Sequence, residues 1–248
     1  MLGIIIQARV GSTRLPNKMI KPFYYNEGVL ELLLGQLNES FPETKIIVAT
    51  TSNILDNQIE EICKRQGVNF YRGSETNVLQ RFIDVANKYN IKKIIRVCAD
   101  NPFLNIPALT HLVQESTRSN ADYLSFITSD EKPSILTHFG FWAEMVTLSA
   151  LNRVADSTKD KIYLEHVTNY IYSNPTIFNL EFIPISPDVE RYKGIRMTLD
   201  TQEDFDLLQD IYSKIPQKNI EIEDLLAFVI ENKQWLGSMK KQIESNGK

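Results

Sequence analysis

Apolar, β-branched segments recur along the first half of the chain and constrain its fold more than any other feature. Five of them have the length of strands: residues 2–8, 45–51, 68–72, 93–99 and 121–126. Strands that are apolar on both sides belong in a sheet that is covered on both faces. Apolar residues at helical spacing, such as Val78, Phe82 and Ala86, lie between these segments. The alternation of strand and helix predicts right-handed crossovers and a mainly parallel, Rossmann-like α/β sheet with helices on both faces.

Beyond residue 126 this alternation stops. We expect an extended segment at 133–147, helices at 148–155 and 160–173, a β-like stretch at 177–186, a further strand of the main sheet at 194–200, and helices at 202–213 and 222–234. No repeat or low-complexity linker interrupts the pattern, so we interpret 1–248 as a single domain. Residues 128–190 are then an elaboration on its sheet, and 239–248 are expected to be a frayed tail.

Charge and cysteine content narrow the classes of protein that fit. The net charge of the 248-residue chain is −4, which argues against nucleic-acid binding through a basic surface. The sequence shows no apolar run of about 18 residues, and residues 2–6 are too short for the apolar region of a secretory leader, so we expect none. We therefore expect a cytoplasmic protein with no membrane segment. Cys63 and Cys98 stand in apolar surroundings, which favours buried thiols over a disulfide.

A polar loop, "QARVGSTRLPNK" at residues 7–18, directly follows the first strand. In a parallel sheet, ligands bind beyond the carboxyl ends of the strands. Gly11 and Ser12 permit close approach of backbone N–H groups to an anion, and arginine and lysine side chains clamp phosphates. The charged candidates are Arg9, Arg14 and Lys18. The loop matches neither the Walker A nor the Rossmann glycine pattern, and it predicts either a small-anion site or a solvated basic turn.

Two aspartates are expected at the same edge of the sheet as this loop. Asp100 follows the strand at 93–99, and Asp200 ends the predicted strand at 194–200. Two carboxylates beside a basic loop suit a metal–triphosphate complex. Each aspartate alone also has a structural explanation, because Asp100 opens an Asp-Asn-Pro turn and Asp200 precedes a helix N-terminus.

Three weaker signals are each open to two interpretations. Gly73 and Ser74 follow the strand at 68–72 and form either a turn or a contact to a base or ribose. Glu165 and His166 lie near the start of a helix, where histidine is more often structural than catalytic. His138 precedes Gly140 and either lines a pocket or lies among aromatic residues at a dimer interface.

Taken in order, the motifs resemble those of the cytidylyltransferase family. The motifs are "IIIQARVGSTRLPNK", "FYRGSETNVLQRF", "RVCADNPF", "EHVTNYI" and "IRMTLDTQEDF", and the similarity runs from about residue 2 to 215. The chain looks closest to the SpsF-like, spore coat polysaccharide branch, which is related to the CMP-sialic acid and CMP-Kdo synthetases. The resemblance implies a GT-A-like nucleotidyltransferase fold and Mg²⁺-dependent transfer of CMP from CTP.

The resemblance also implies roles for individual residues. By this resemblance, nucleotide binding is assigned to Arg9, Gly11, Ser12, Lys18, Gly73, Ser74 and Arg81, metal binding to Asp100 and Asp200, and acceptor binding to Glu165 and His166. Beside these we expect Gln7, Ala8 and Arg14 on the nucleotide side and His138 and Glu144 on the acceptor side. Arg9, Lys18 and the two aspartates form the catalytic set, with Arg9 and Lys18 stabilising the leaving pyrophosphate.

The acceptor is left open by these residues. We expect an acidic sugar, a sugar phosphate or a phosphonate, used for a surface polysaccharide or glycan. A hydroxyl acceptor needs a base, for which no residue is assigned, whereas a phosphate or phosphonate needs none. Two other functions stay open, a glycosyltransferase that uses a nucleotide sugar and a degenerate nucleotide-binding protein. The resemblance and the aromatic content favour a homodimer through residues 128–180.

Overall fold

The computed structural model describes residues 1–192, 194–215 and 220–246. In these ranges the strands are β1 (Leu2–Gln7), β2 (Pro22–Tyr24), β3 (Glu27–Gly28), β4 (Lys45–Thr51), β5 (Asn69–Gly73), β6 (Lys93–Cys98), β7 (Tyr123–Ile127), β8 (Glu144–Thr147) and β9 (Leu180–Pro184). The α-helices are α1 (Val29–Ser40), α2 (Asn57–Gln66), α3 (Val78–Lys88), α4 (Ile106–Arg118), α5 (Leu148–Ser157), α6 (Lys161–Glu165), α7 (Asn169–Tyr172), α8 (Pro187–Glu190), α9 (Gln202–Lys214), α10 (Ile222–Ile230) and α11 (Lys233–Ser245).

The main sheet has the strand order β5-β4-β1-β6-β8-β7-β9, while β2 and β3 pair as a separate hairpin. The four strands β5, β4, β1 and β6 run parallel to one another. β8 is antiparallel to both of its neighbours, and β9 is parallel to β7. The predicted mainly parallel sheet is confirmed. Because four adjacent strands run the same way, the segments that follow them meet at one edge.

Helices cover both faces of this sheet, and β1 shows why. Ile4 and Ile6 pack into one core cluster, together with residues of α1, α9, α10 and α11. Ile5 points to the other face and packs with residues of α3 and α5. All three isoleucines have no exposed surface, and full burial of each side chain stabilises the fold by about 1.5–3 kcal/mol. The continuous apolar run of β1 is thus required by burial on both sides.

The prediction of a strand at 194–200 is wrong. Residues 195–200 have no strand assignment and cross the carboxyl end of β6, where Met197 N–H donates to His138 O (2.8 Å) and Leu199 N–H to Asp100 O (3.2 Å). β6 already pairs with β1 and β8 and has no free edge for another strand. The segment looks like a strand in the sequence because residues 195–199 are all buried.

The expected frayed tail at 239–248 is also corrected by the structure. Helix α11 continues to Ser245, Met239 on it is fully buried, and residues 247–248 lie outside the described ranges. The predicted helix at 222–234 is two helices, because Asn232 accepts hydrogen bonds from the N–H groups of Gln234 and Trp235 and begins α11 there.

The aromatic residues of the 133–147 segment pack inside the chain. Phe139, Phe141 and Trp142 contact one another, and Trp142 stacks on Phe126 at 5.8 Å between ring centroids. They are core residues, so they no longer support a dimer interface.

Within the described ranges, none of the helices combines the length and the apolar character that crossing a bilayer requires.

Candidate active site

The basic loop is fixed to the sheet by a buried carboxylate that the motifs did not reveal. Asp56 Oδ1 accepts a hydrogen bond from Val10 N–H (2.7 Å), and its Oδ2 accepts from the N–H (3.2 Å) and the hydroxyl of Thr51. Asp56 is 1% exposed. Its sequence context, "SNILDN", is typical of a helix start, so nothing local distinguishes it. The contacts hold the loop against the end of β4.

Lys18 joins the two aspartates that the sequence predicts at this edge. Its Nζ lies 2.9 Å from Asp100 Oδ2 and 3.9 Å from Asp200 Oδ1, and it donates to Leu199 O at 2.7 Å. The Lys18 side chain is only 8% exposed. Asp200 reaches Asp100 without being part of the sheet, because residues 195–199 lie across the end of β6. The expected convergence of loop and carboxylates is therefore present.

The donor set around Lys18 fits a magnesium ion. Two carboxylates already enclose one cation, the Lys18 ammonium. Within 1–192, 194–215 and 220–246, no group of three or more His, Cys, Asp or Glu side chains is placed to hold a metal. Magnesium commonly takes one or two protein carboxylates and completes its shell with phosphate oxygens and water. Asp100 and Asp200 match that demand and not the demand of an all-protein metal centre.

Arg196 holds Asp200 from the buried side of the site. Its Nη2 donates to Asp200 Oδ2 (3.0 Å), and its Nε and Nη2 hold both carboxylate oxygens of Asp204, each at 2.8 Å. Burial alone would raise the pKa of Asp204, but the hydrogen bonds and charge of Arg196 keep it below the ordinary value. On the solvent side, Arg14 Nη2 donates to Asp200 Oδ1 (2.8 Å). Arg196 was not among the predicted site residues, because it stands inside an apolar run and only Asp200 in that motif suggested a role.

The predicted nucleoside side contains a buried guanidinium. Arg81 has no exposed surface, one of its nitrogens donates to Ser74 O, and its Nε and Nη2 have no partner. Burial and the nearby Arg9 lower the pKa of Arg81 to about 10. A Cβ on Gly73 would lie 3.1 Å from Arg81 Cγ, so glycine permits this close packing. Arg9 itself pairs with Glu165 at 3.7 Å.

A cavity of about 540 Å³ opens beside the two aspartates. Among the residues that line it are Asp100, Asp200, Arg96, Trp142, His166 and Tyr172. It brings His166, predicted on the acceptor side, to the same space as the predicted metal ligands.

Cys98 also lines this cavity and is half-buried, which corrects the expectation of two buried thiols. Cys63 is buried, and neither cysteine is in a disulfide.

Two residues predicted to bind the acceptor lie elsewhere. Glu144 is 2% exposed, and its carboxylate accepts hydrogen bonds from Arg96 (2.5 Å), Tyr123 (2.5 Å) and Thr168 (2.8 Å). His138 lines a separate cavity of about 150 Å³, and its Nδ1 accepts from Arg196 Nη1 at 2.9 Å. Strand alternation and a neighbouring glycine did not show which way these side chains point. Glu144 holds Arg96 in place, and His138 holds Arg196.

Four loop and turn residues assigned to the nucleotide also have contacts within the chain. Gln7 Oε1 accepts from Arg96 Nη2 (3.1 Å), and the Ala8 N–H extends the β1–β4 pairing to Ala49 O (3.3 Å). Ser12 Oγ accepts from Leu15 N–H at 3.4 Å, and Ser74 Oγ accepts from Asn77 N–H at 3.0 Å. Among the described residues, Glu75 is the only one within 4 Å of the position of an added Cβ on Gly11, at 3.7 Å. The side-chain side of Gly11 is accordingly open.

The fold and this site define the class of the protein: it is an α/β nucleotidyltransferase. A basic loop after β1, carboxylates at the carboxyl edge of a mainly parallel sheet and an adjoining cavity are the parts that this class requires. A family model described as "Cytidylyltransferase" matches residues 3–236. The chain belongs to the cytidylyltransferase family, an enzyme family that uses CTP for cytidylyl transfer.

Individual relatives agree with this membership over nearly the whole chain. An uncharacterized protein of Methanocaldococcus jannaschii is 37% identical, with 98% of this chain and 93% of that protein covered. The spore coat polysaccharide biosynthesis protein SpsF of Bacillus subtilis is 30% identical, with 92% of this chain and 93% of SpsF covered. A solved cytidylyltransferase of Leptospira borgpetersenii is 30% identical, covers 95% of this chain and 96% of its own, and superposes with a TM-score of 0.84.

Proposed function

We propose that the protein transfers CMP from CTP to a small anionic acceptor, with Mg²⁺ bound and with release of pyrophosphate. The acceptor is an acidic sugar, a sugar phosphate or a phosphonate, and the product serves a surface polysaccharide or glycan. One observation carries the proposal. Asp100 and Asp200, from distant parts of the chain, enclose the Lys18 ammonium and also line the 540 Å³ cavity.

The nucleotide would lie between the basic loop and the buried guanidinium of Arg81. The side chain of Arg9, in the loop itself, is 35% exposed and is available to the triphosphate. Lys18 would exchange its contact with Asp100 for phosphate oxygens, since an ammonium binds either group as a point charge. The unpartnered N–H groups of Arg81, behind Gly73 and Ser74, would take acceptor atoms of the nucleoside.

Mg²⁺ would be held by Asp100 and Asp200 together with phosphate oxygens. When bound, it neutralises phosphate charge and lowers the pKa of a coordinated hydroxyl. The chain supplies the orientation of these ligands: Arg14 and Arg196 each donate to a different oxygen of Asp200. That arrangement restricts rotation of the carboxylate of Asp200, which lines the cavity.

In the reaction, an acceptor oxygen forms a bond to the α-phosphorus of CTP. The bond from that phosphorus to the bridging oxygen of the β-phosphate breaks, and pyrophosphate leaves with the electron pair. Arg9 and Lys18 stabilise the charge that develops on it, an electrostatic contribution that is largest where water is excluded. A hydroxyl acceptor also loses a proton, and the His166 imidazole that lines the cavity is the candidate base.

The direct test combines binding and turnover. Purified protein with Mg²⁺ should show a larger rise in melting temperature with CTP than with ATP, GTP or UTP, because a ligand that binds only the folded state stabilises it. Incubation with CTP and a panel of sugar acids, sugar phosphates and phosphonates should release pyrophosphate and yield a CMP-linked product. Absence of CTP binding together with absence of pyrophosphate release across the panel would contradict the proposal.

Replacement of Arg81 by methionine should separate stability from nucleotide binding. Arg81 is a fully buried charge with two unpartnered nitrogens, so its removal ends a desolvation cost that offsets the loss of its hydrogen bond to Ser74 O. We expect a melting temperature equal to or above that of the wild type, and CTP affinity weaker by roughly tenfold to hundredfold. Arg118→Met, on the exposed end of α4, is the matched control. Unchanged CTP affinity in Arg81→Met would remove Arg81 from the nucleotide site.

A homodimer and a cytoplasmic location stay predictions. With the aromatic residues of 139–142 in the core, the dimer now depends on other features of 128–180. Ile162 and Ile177 are about half exposed, at 50% and 52%, and β9 is the edge strand of the sheet on that side. A monomeric mass by light scattering would contradict the dimer.

A further inference from the structure

We infer that Arg96 forms an anion-binding subsite in the 540 Å³ cavity, and that the acceptor carries an oxyanion group there, separate from the oxygen that attacks CTP. This inference rests on the proposed function and specifies its acceptor. Arg96 stands on β6, four residues before Asp100, and Cys98 lies between them. Side chains two residues apart in a strand share a face, and all three line the cavity.

The guanidinium of Arg96 is incompletely satisfied by the chain. It is 8% exposed. Its Nη1 donates to Glu144 Oε1 (2.5 Å) and its Nη2 to the amide oxygen of Gln7 (3.1 Å), while Nε is buried without a partner. Guanidinium carries five N–H donors, and a buried donor without an acceptor is destabilising. A ligand oxygen at the Nε–Nη2 edge of Arg96 would supply the missing acceptor.

Glu144 orients Arg96 and does not compete with a ligand. Its Oε1 accepts from Arg96 and from the Thr168 hydroxyl, and its Oε2 accepts from the Tyr123 hydroxyl. With both oxygens engaged and 2% exposure, Glu144 fixes the plane of the guanidinium and is not itself among the residues that line the cavity. Glu144 is thus a positioning residue, and Arg96 is the residue that meets the acceptor.

A second arginine in the same chain shows what the Nε–Nη2 edge of Arg96 is able to hold. Arg196 uses its Nε and Nη2 to bind the two carboxylate oxygens of Asp204, both at 2.8 Å. On Arg96 the corresponding edge has only the neutral Gln7 amide, on Nη2. Such an edge matches the spacing of a carboxylate or phosphate. A ligand oxyanion would replace the Gln7 amide oxygen on Nη2.

The rest of the cavity fits a molecule with two polar ends. Asp100 and Asp200 lie at one end, where the attacking oxygen is needed, and Arg96 lies further along the strand from Asp100. Trp142 and Leu136 supply apolar wall for a carbon skeleton. Burial and the charge of Glu144 raise the pKa of Tyr172 to about 12, so its phenol stays a hydrogen-bond donor in this cavity. A sugar acid, or a sugar with a phosphate remote from its nucleophile, has this form.

Alkylation of Cys98 by iodoacetamide reports on this subsite in the intact protein. Cys98 lines the cavity and is half-buried, whereas Cys63 is fully buried and serves as the internal reference. Acetate, inorganic phosphate and D-glucuronate should slow Cys98 alkylation in the wild type, while D-glucose, which has a hydroxymethyl group in place of the carboxylate, should not. Stronger protection by acetate and glucuronate than by phosphate would identify a carboxylate acceptor, and the reverse a phosphate.

Two variants of Arg96 decide the assignment. Arg96→Gln combined with Glu144→Gln removes both buried charges together, and half-protecting anion concentrations should rise by roughly tenfold to hundredfold. Arg96→Lys keeps the ion pair with Glu144 but loses the two parallel N–H donors of the guanidinium. It should give an intermediate loss of anion protection and a native melting temperature. In the same samples, the rise in melting temperature with CTP should be unchanged.

Each outcome bears on one hypothesis. Equal protection by glucose and glucuronate, no protection by any of the three anions, or retained protection in both Arg96 variants would overturn the subsite. Loss of the CTP effect in wild-type protein would overturn the proposed function and leave a measured anion effect standing. Arg118→Met, whose side chain pairs with Glu115 on the surface, should behave as wild type throughout.

Discussion

Replacing Arg196 by methionine is expected to lower the free energy of unfolding by about 3–5 kcal/mol, because it leaves a buried carboxylate without its partner. Arg196 and Asp204 are 1% and 2% exposed and are joined by two hydrogen bonds of 2.8 Å. Asp204 also accepts from the N–H groups of Asp200 and Thr201, both at 3.0 Å. Urea unfolding followed by circular dichroism measures the loss.

The size of this loss should depend on pH. Burial acts to raise the pKa of Asp204, and Arg196 overcomes it, so the pKa in the folded protein lies below the ordinary value of 3.8. A lowered carboxyl pKa stabilises the folded state above 3.8 and ceases to do so as the pH falls through the folded pKa. Without Arg196, burial raises the Asp204 pKa instead. The gap between wild type and Arg196→Met should therefore be widest near neutral pH and narrow in acid.

Two controls separate charge from packing in this prediction. Arg118→Met removes an exposed arginine and should change stability by less than about 0.5 kcal/mol. Arg196→Met combined with Asp204→Asn removes both buried charges and keeps a side-chain oxygen for the N–H groups of Asp200 and Thr201. This double variant should recover much of the loss, since the unpaired buried charge is the main cost of the single change. A single variant as stable as the wild type at neutral pH would contradict the assigned role of the pair.

The sheet and the place of the site were predictable because they follow from local patterns. The run of isoleucines in β1 is apolar on both faces, and only a sheet covered on both sides buries it. The polar loop follows that strand directly, so its place at the carboxyl edge follows from strand direction. Asp100 is predictable for the same reason, as it comes immediately after β6.

The supporting residues were not predictable, because their partners are distant in sequence. Asp56 holds a loop far from it in the sequence, since its hydrogen-bond partner Val10 stands 46 residues earlier. Glu144 was assigned to the acceptor, yet it stands on the neighbouring strand β8, where it is the direct cross-strand partner of Arg96. The pattern at 195–199 shows burial but not pairing, which is why a covered crossing segment was predicted as a strand.

Asp100→Asn should reduce CMP transfer by about a hundredfold or more, the loss that follows removal of a single electrostatic group from a transition state of this kind. Asparagine has nearly the same shape but no charge, so it would weaken the hold on Mg²⁺ and on the Lys18 ammonium, now 2.9 Å from Asp100 Oδ2. Asp100 is 31% exposed, and we expect little change in stability. Pyrophosphate release under saturating CTP measures the rate.

Binding measurements would show that the loss comes from the metal and not from the nucleotide pocket. In the wild type, Mg²⁺ should increase the rise in melting temperature that CTP produces; in Asp100→Asn this increase should vanish, while binding of CTP without Mg²⁺ persists through Arg9 and Arg81. Asp200→Asn should show the same kinetic loss with a lower melting temperature, because Arg14 and Arg196 lose their shared acceptor charge.

Asp156→Asn is the matched control, since Asp156 is exposed on α5, and it should retain wild-type turnover. Full activity in Asp100→Asn would mean that the carboxylate pair around Lys18 has a structural role only. In that case the Lys18 ammonium, which already lies between the two aspartates, would be the cation that the site is built to hold, and Mg²⁺ would reach the phosphates without protein ligands. The Mg²⁺-dependent part of the CTP effect distinguishes these two arrangements, because only the first predicts that it disappears when either aspartate becomes asparagine.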